Sequence, residues 1–332
     1  MKKFFVIILL MFTTSLIYGQ YNSVSQYTGS FSRMGFSARG IAMGNSLSSV
    51  LEGDLSGYYN PAISSFQKGI NFSLGYTILS LDRSLNFLSF GKSFELGKKR
   101  DAEGNWTKPK SIAGIYAGIV NSGVSGIEER DNQGIKSGDI STSENLFFIA
   151  VSNQFSDHIS VGLNIKFYYY KLYQNVTSTG VGLDAGIIYR YNNNLNFAFV
   201  ISDINSKYKW NTTDLYGQYG SLTENKFPLR KKFAASYLFN QIGLLLAAEI
   251  EAYDGENNFV RFGTEYNIID GFRLRAGLDG LNISNSEIPV KPSFGFGYQY
   301  ILASHLLGID YTYGVEPYSP LNFHVLAINF KL

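Results

Sequence analysis

Alternation of apolar and polar residues with a period of two is the feature that most constrains this chain. It begins near residue 69 and continues in short segments to Leu332, the last residue. Because successive side chains of a strand point to opposite faces, each segment predicts a strand with one apolar and one polar face. Tyr, Phe and Gly are abundant and Pro is rare, which favours a strand-rich protein with aromatic belts.

Fourteen segments carry this pattern, and most have the length that a tilted strand needs to cross a bilayer, about 9–11 residues. The predicted strands are residues 69–79, 84–94, 109–122, 143–155, 158–174, 178–191, 194–203, 228–240, 242–253, 257–267, 271–279, 291–302, 304–314 and 321–332. Residues 123–142, 204–227 and 280–290 are predicted to be long loops. The even number of strands is typical of bacterial outer-membrane barrels and places both barrel ends on one side of the membrane.

The placement of charge decides which face of these strands meets water. Charged residues of both signs fall on the polar face of neighbouring segments, namely Glu249, Glu251, Arg261, Glu265, Arg273 and Arg275. An Arg or Lys that faces the bilayer centre costs about 2–4 kcal/mol, so we expect these side chains to form an ion-pair network in a lumen. In a soluble barrel they would face outside water instead, but fourteen apolar faces are too much for one small interior. The sequence therefore predicts an all-β protein whose residues 67–332 form a 14-stranded antiparallel transmembrane β-barrel.

The amino terminus has the pattern of a secretory signal peptide. Lys2 and Lys3 precede an apolar run that is too short for a membrane-spanning helix, and cleavage is predicted between Gly19 and Gln20. Residues 1–19 are therefore excluded from the fold, and we expect a bacterial outer-membrane protein with both barrel ends in the periplasm. The remaining chain carries 26 basic and 26 acidic residues, a balance that argues against a nucleic-acid partner. Outer-membrane lipid is the expected surrounding.

Residues 20–66 do not alternate and are predicted to be a hatch segment inside the barrel. Ser37 is expected to cap a helix over residues 38–52, and Asn60-Pro61-Ala62 is expected to make a stiff turn near the barrel wall. A barrel of this size would pass water unless something filled its lumen. We therefore predict that the hatch segment plugs it.

The hatch segment resembles the amino-terminal signature of the FadL and PorV/PorQ outer-membrane families. The resemblance rests on an A-R-x-x-x-M-G run and a following Y-x-N-P-A run, which here supply Ala38, Arg39, Met43, Gly44, Tyr58, Tyr59, Asn60, Pro61 and Ala62. Later stretches such as residues 227–239 and 260–280 resemble the PorV/PorQ branch, which is the branch we favour. The resemblance implies a fourteen-stranded barrel with a hatch. In the FadL family a kinked third strand opens the wall, so Gly114 and Gly118 of the third predicted strand are candidates for a lateral gate.

No catalytic constellation is visible, so we expect neither an enzyme nor a cofactor or metal site. The histidines, His158, His305 and His324, all lie near strand ends and lack partners at ligand spacing. Three functions remain open. The first is a conduit for hydrophobic small molecules. The second is a type IX secretion subunit that binds the carboxy-terminal signals of secreted proteins, and the third is a structural or adhesin-like barrel.

Overall fold

The computed structural model describes residues 27–54, 56–99, 103, 108–173, 176–253, 257–284, 288–302 and 305–332. The predicted signal peptide and residues 20–26 of the hatch segment lie outside the described residues. The strands are β1 (Ile70–Ile78), β2 (Arg83–Leu96), β3 (Ser111–Arg130), β4 (Lys136–Gln154), β5 (Ile159–Tyr173), β6 (Val176–Arg190), β7 (Leu195–Ile204), β8 (Lys207–Asn211), β9 (Leu222–Lys226), β10 (Arg230–Phe239), β11 (Leu244–Tyr253), β12 (Asn258–Ile269), β13 (Phe272–Asn282), β14 (Lys291–Leu302), β15 (His305–Gly314) and β16 (Phe323–Lys331).

Fourteen of these strands close into one antiparallel barrel. Neighbours in the barrel follow chain order, except that β7 pairs with β10 because β8 and β9 form a separate two-stranded sheet. The barrel closes between β1 and β16, where Ile70 and Leu332 exchange backbone hydrogen bonds of 3.0 and 2.8 Å. The predicted fourteen-stranded antiparallel barrel is confirmed.

Two of the predicted loops contain strands. Residues 123–142 were expected to be a loop, but β3 and β4 continue through most of them and form a long hairpin. A bulge between Val124 and Ile127 shifts the register, and Gly126 adopts the left-handed φ of 72° there, so the ladder resumes beyond it. Residues 204–227 contain the β8–β9 sheet and a short helix, α2 (Thr213–Tyr216).

The helix predicted over residues 38–52 is much shorter than expected. Helix α1 spans only Ala38–Ala42, and the Ser37 side chain caps it by accepting a hydrogen bond from the Gly40 backbone N–H at 3.1 Å. Gly44, with a φ of 59°, turns the chain out of the helical conformation. The other short helices are 3-10 turns at Ser30–Arg33, Pro61–Phe66 and Gly217–Tyr219. Among the described residues, no helix is long and apolar enough to cross a membrane.

The two ends of the barrel differ. One end, called here the terminal end, carries Ile70, Leu332 and short turns such as the one between β12 and β13. The opposite end, called the loop end, carries the β3–β4 hairpin and the β8–β9 sheet. Along the wall, alternation separates apolar from charged side chains: Leu274 is 43% exposed on the outside, whereas Arg275 is 4% exposed on the inside.

Candidate functional site

The hatch segment crosses the lumen from the loop end to the terminal end. At the loop end the Tyr27 ring stacks on Tyr253, with ring centroids 5.5 Å apart. The segment then runs through α1 and the Pro61–Phe66 turn, and joins β1 at the terminal end. Phe36, Met43 and Ala62 are fully buried along this path, so the segment fills the interior of the barrel.

Hydroxyl groups on the wall hold the backbone of the hatch segment. Because most of the segment is irregular, regular helical or ladder hydrogen bonds satisfy few of its buried carbonyl groups, and donors on the wall supplement them. Five wall hydroxyls supply them: Thr312 donates to Ala38 at 2.6 Å, Ser293 to Ile41 at 2.6 Å, Ser236 to Ser49 at 2.9 Å, Ser160 to Ala62 at 2.9 Å and Ser93 to Gln67 at 2.6 Å. The donors come from five strands, so the segment is fixed on several sides.

Arg39 joins three parts of the structure. Its Nε and Nη2 donate to the two carboxylate oxygens of Glu265 on β12, at 2.8 and 3.0 Å. Its Nη1 donates to the backbone oxygens of Glu52 and Asp54, at 2.7 and 2.8 Å. Arg39 is 2% exposed, and it therefore ties α1 to the wall and to the turn that follows. Burial raises the pKa of the Glu52 carboxyl near this point.

The second part of the sequence signature forms the beginning of a helix. The stiff turn predicted at Asn60-Pro61-Ala62 is the first turn of the Pro61–Phe66 3-10 helix, where Asn60 Oδ1 accepts from the Ala62 backbone N–H at 3.0 Å. Asn60 Nδ2 donates to the Ser48 oxygen at 2.8 Å. The Tyr59 hydroxyl donates to the Phe36 oxygen at 2.8 Å, and burial raises the pKa of Tyr58 to about 12.

Aromatic side chains meet the hatch segment on the β2–β4 side. Phe36 lies 5.0 Å from the Phe87 ring and 5.8 Å from the Phe148 ring, and Tyr116 stacks on Phe148 at 6.0 Å, all measured between centroids. Next to them the segment touches the wall backbone directly. A Cβ at Gly114 would overlap the backbone of Ser64, so only glycine admits the segment there.

The structure does not place a lateral opening at Gly114 and Gly118. Strand β3 pairs without interruption with β2 and with β4 across both glycines. Gly118 faces the Phe148 ring rather than the hatch segment. The small residues here allow close packing inside a closed wall, and the predicted gap at this position is wrong.

The structure brings five of the six predicted charged residues into ion pairs inside the barrel. Arg261 pairs with Glu249 at 3.2 Å and with Glu251, and Arg275 pairs with Glu265 at 2.7 Å. Arg273 is the exception, because its Nε donates to Asn267 Oδ1 at 2.9 Å near the terminal end. Among the described residues no carboxylate lies within ion-pair distance of Arg273, although Glu265 on the neighbouring strand β12 interacts with its charge, so the place of Arg273 in the network stays a prediction.

The ion pairs extend well beyond the predicted set. Lys166 on β5 pairs with Asp184 at 2.9 Å and Asp203 at 3.0 Å, and Arg230 continues the chain from Asp203 at 2.8 Å to Glu251 at 3.0 Å. The remaining members that the sequence reasoning missed are Arg39, Lys232, Asp279 and Asp310. Lys166 and Asp184 lie on the polar side of their strands, and this alternation was the signal that could have found them.

A cavity of about 240 Å³ opens beside the hatch segment at the loop end. It is called here the mouth cavity, and its apolar lining consists of Met34, Ile41, Leu85, Phe259, Ile288, Pro289, Pro292, Val315 and Phe323. Arg33, Arg261, Asp279, Lys291 and Glu316 add charge to its edge. A small apolar molecule can be buried there against residues from both the wall and the hatch segment.

Polar and ionisable residues do not assemble into a metal centre in the described part of the chain, where no cluster of three or more His, Asp or Glu side chains could hold an ion. His158 Nδ1 lies 2.7 Å from the Arg190 backbone oxygen, and His324 Nδ1 lies 2.7 Å from the Tyr311 hydroxyl. Both contacts are at strand ends.

Solved structures of two toluene transporters and of a FadL homologue share this fold along most of the chain. The Pseudomonas putida toluene transporter TodX aligns with a TM-score of 0.57 at 16% identity and covers 89% of this chain and 96% of that one. The Ralstonia pickettii toluene transporter TbuX aligns with a TM-score of 0.55 at 13% identity, covering 89% and 97%. A Pseudomonas aeruginosa FadL homologue aligns with a TM-score of 0.51 at 12% identity, covering 89% and 98%.

At these identities the similarity shows the fold, which is that of the FadL-like barrels. No protein-family profile and no curated protein matches the sequence. The preference for the PorV/PorQ branch finds no support in these structures.

Proposed function

We propose that the protein is an outer-membrane β-barrel that admits small hydrophobic molecules at its loop end, with the hatch segment as the plug of its lumen. The mouth cavity carries this proposal. It is mainly apolar, it reaches inward from the loop end, and it ends against the hatch segment rather than in an open channel. The toluene transporters TodX and TbuX have the same fold, which makes an aromatic hydrocarbon the first solute to test.

The proposed secretion role needs a lumen that can receive a peptide. The complete burial of Phe36, Met43 and Ala62 of the hatch segment supports a lumen that is already filled. A purely structural barrel would not need an inward-reaching apolar cavity. These two features favour the conduit over the other two functions.

The test is to fill the mouth cavity. Val315→Trp places a large ring into the cavity lining, and Ile135→Trp places the same ring on the exposed tip of the β3–β4 hairpin as a control. We expect Val315→Trp to weaken toluene binding by about tenfold, or about 1.4 kcal/mol, because it occupies the volume that the solute needs. The control should bind like the unmodified protein.

Protein for the binding measurement is extracted from outer-membrane fractions. Equilibrium binding of labelled toluene to the purified protein gives the affinity, and uptake by cells gives the transport rate. Unchanged affinity in Val315→Trp, or recovery of folded protein from the soluble fraction, would contradict the proposal.

A further inference from the structure

Two cavities lie one beyond the other along the inner face of β1. The mouth cavity touches Thr77 and Leu85. A smaller cavity of about 30 Å³, called here the lower cavity, touches Ser73 and Ser89 closer to the terminal end. Inward positions on a strand recur every two residues, or about 6.8 Å, so a single row of inward side chains separates the two cavities.

That row consists of one ring and two very small residues. Gly75 lies between Ser73 and Thr77 on β1, and it pairs with Phe87 of β2 on one side and with Ala327 of β16 on the other. A Cβ at Gly75 would overlap the far end of the Phe87 ring, so the ring occupies the space above the glycine. The other side of the ring contacts Phe36 of the hatch segment at a centroid distance of 5.0 Å. Phe87 therefore fills the space between wall and hatch segment.

Moving the hatch segment is a costly way to join the cavities. Near this row it is held by the bidentate Arg39–Glu265 pair and by hydrogen bonds from Thr312 and Ser293 to its backbone. Each of these contacts would have to break in a buried site, where leaving a polar group unpaired is costly. Rotating the Phe87 side chain breaks none of them. The ring makes apolar contacts only, and its removal from the row leaves a slot bordered by Gly75 and Ala327.

We propose that Phe87 is the gate of the barrel and that a solute leaves the mouth cavity along the inner face of β1, over Gly75, into the lower cavity. This inference rests on the proposed function, because it assigns the step that follows solute binding. The lower cavity has a mixed lining, with Asp54, Ser73 and Asn329 beside Phe72 and Tyr116, and its volume is only about 30 Å³. A solute that passes the gate finds about one eighth of the volume of the mouth cavity there, so the gate sets the rate of passage while the mouth cavity sets affinity.

The test compares Phe87 with Phe148. Both rings are 2% exposed and both contact Phe36, but only Phe87 pairs with Gly75 in the row between the two cavities, whereas Phe148 pairs with Gly118 of β3. Phe87→Ala should raise the rate of toluene uptake several-fold, and Phe87→Trp should lower it several-fold. Neither change should alter toluene binding in the mouth cavity. Phe148→Ala and Phe148→Trp should leave the uptake rate close to that of the unmodified protein.

Equal changes in uptake for the Phe87 and Phe148 variants would mean that replacing either ring loosens the packing inside the barrel. That result would overturn the proposal that Phe87 is the gate. An unchanged rate of toluene uptake in Phe87→Trp would also overturn it, provided that the variant folds. Heat-modifiable migration on gels shows whether it does. A third measurement separates this inference from the proposed function. If the unmodified protein takes up no toluene, the proposed function fails. Ion conductance in planar bilayers then tests separately whether the Phe87 ring closes the barrel. Phe87→Ala should conduct where the unmodified protein and Phe148→Ala do not, and equal conductance of all three would refute the gate.

Discussion

The hatch segment meets the barrel wall through two faces of opposite chemistry. Toward β12, β13 and β15 the contact is ionic: Arg39 pairs with Glu265, which also pairs with Arg275, which in turn pairs with Asp310. Toward β2–β4 the contact is aromatic and consists of Phe36, Phe87, Tyr116 and Phe148. Both faces are buried, but they respond to change in different ways.

The difference lies in how each contact depends on its partners. A buried charge is stable only when its partner and hydrogen bonds are present, and removing one partner of a buried pair costs about 3–5 kcal/mol. Ring contacts add about 0.5–1.5 kcal/mol each beyond their buried area, and other apolar groups of similar volume replace part of it. The ionic face therefore fixes the position of the hatch segment, whereas the aromatic face tolerates adjustment. Such tolerance is what a gating ring at Phe87 requires.

The largest expected effect is on the ionic face. Glu265→Gln keeps the shape of the side chain but removes the charge that both Arg39 and Arg275 use. We expect it to lower the free energy of unfolding by about 3–5 kcal/mol, because two buried guanidinium groups lose a carboxylate at once. Urea unfolding of the purified barrel in detergent micelles measures this change.

The matched control is Glu224→Gln in the β8–β9 sheet. Glu224 pairs with Lys207 at 2.9 Å, but both side chains are solvent-accessible. Such exposed pairs contribute little to stability because water screens both charges, so this variant should unfold nearly like the original. If Glu265→Gln were as mild as the control, the ionic face would not fix the hatch segment and the comparison would fail.

The alternation of apolar and polar residues predicted much of the architecture, and each wrong prediction has a local structural cause. Strand number and the inward placement of Glu249, Glu251 and Arg261 follow from a period of two, which is a property of each strand alone. The length of β3 depends on a bulge near Gly126, and a bulge is set by pairing with β4 rather than by its own sequence. The helix predicted over residues 38–52 stops at Ala42 because Gly44 turns the chain with a φ of 59°, and the wall then binds the backbone further on, as Ser236 does at Ser49.

The sequence predicted the contacts of the candidate site less well than it predicted the fold. Arg39 was singled out as part of a sequence signature, but nothing in the sequence pairs it with Glu265, which is 226 residues away. The same holds for Phe87 and Gly75, whose contact depends on the register between β1 and β2. Gly114 was interpreted as a weak point of the wall, whereas it is the place where the backbone of Ser64 rests. Alternation assigns a face to a side chain, but register and the path of the hatch segment decide its partner.

The next prediction concerns the aromatic face. Phe148→Leu keeps an apolar group of roughly similar size beside Phe36 and Tyr116. We expect a loss of less than about 1.5 kcal/mol in the free energy of unfolding, because neighbouring rings can close over the smaller side chain. The same urea measurement applies. A loss of unfolding free energy as large as that of Glu265→Gln would show that the aromatic face tolerates substitution no better than the ionic face.

The smallest expected effect is a pH dependence at the edge of the ionic face. Burial raises the pKa of Glu52 above its ordinary value of 4.5, although Arg39 and the Leu51 backbone N–H favour its charged form. Between the unfolded and the folded pKa the folded chain holds more protons than the unfolded chain, so the free energy of unfolding falls as pH rises through that interval and stays lower above it. Glu52→Gln removes this loss. The variant should match the original at about pH 4 and be more stable at about pH 8 in urea unfolding. If the variant is instead less stable at the higher pH, the attraction between Glu52 and Arg39 outweighs burial, and the ionic face extends to the turn that Arg39 holds.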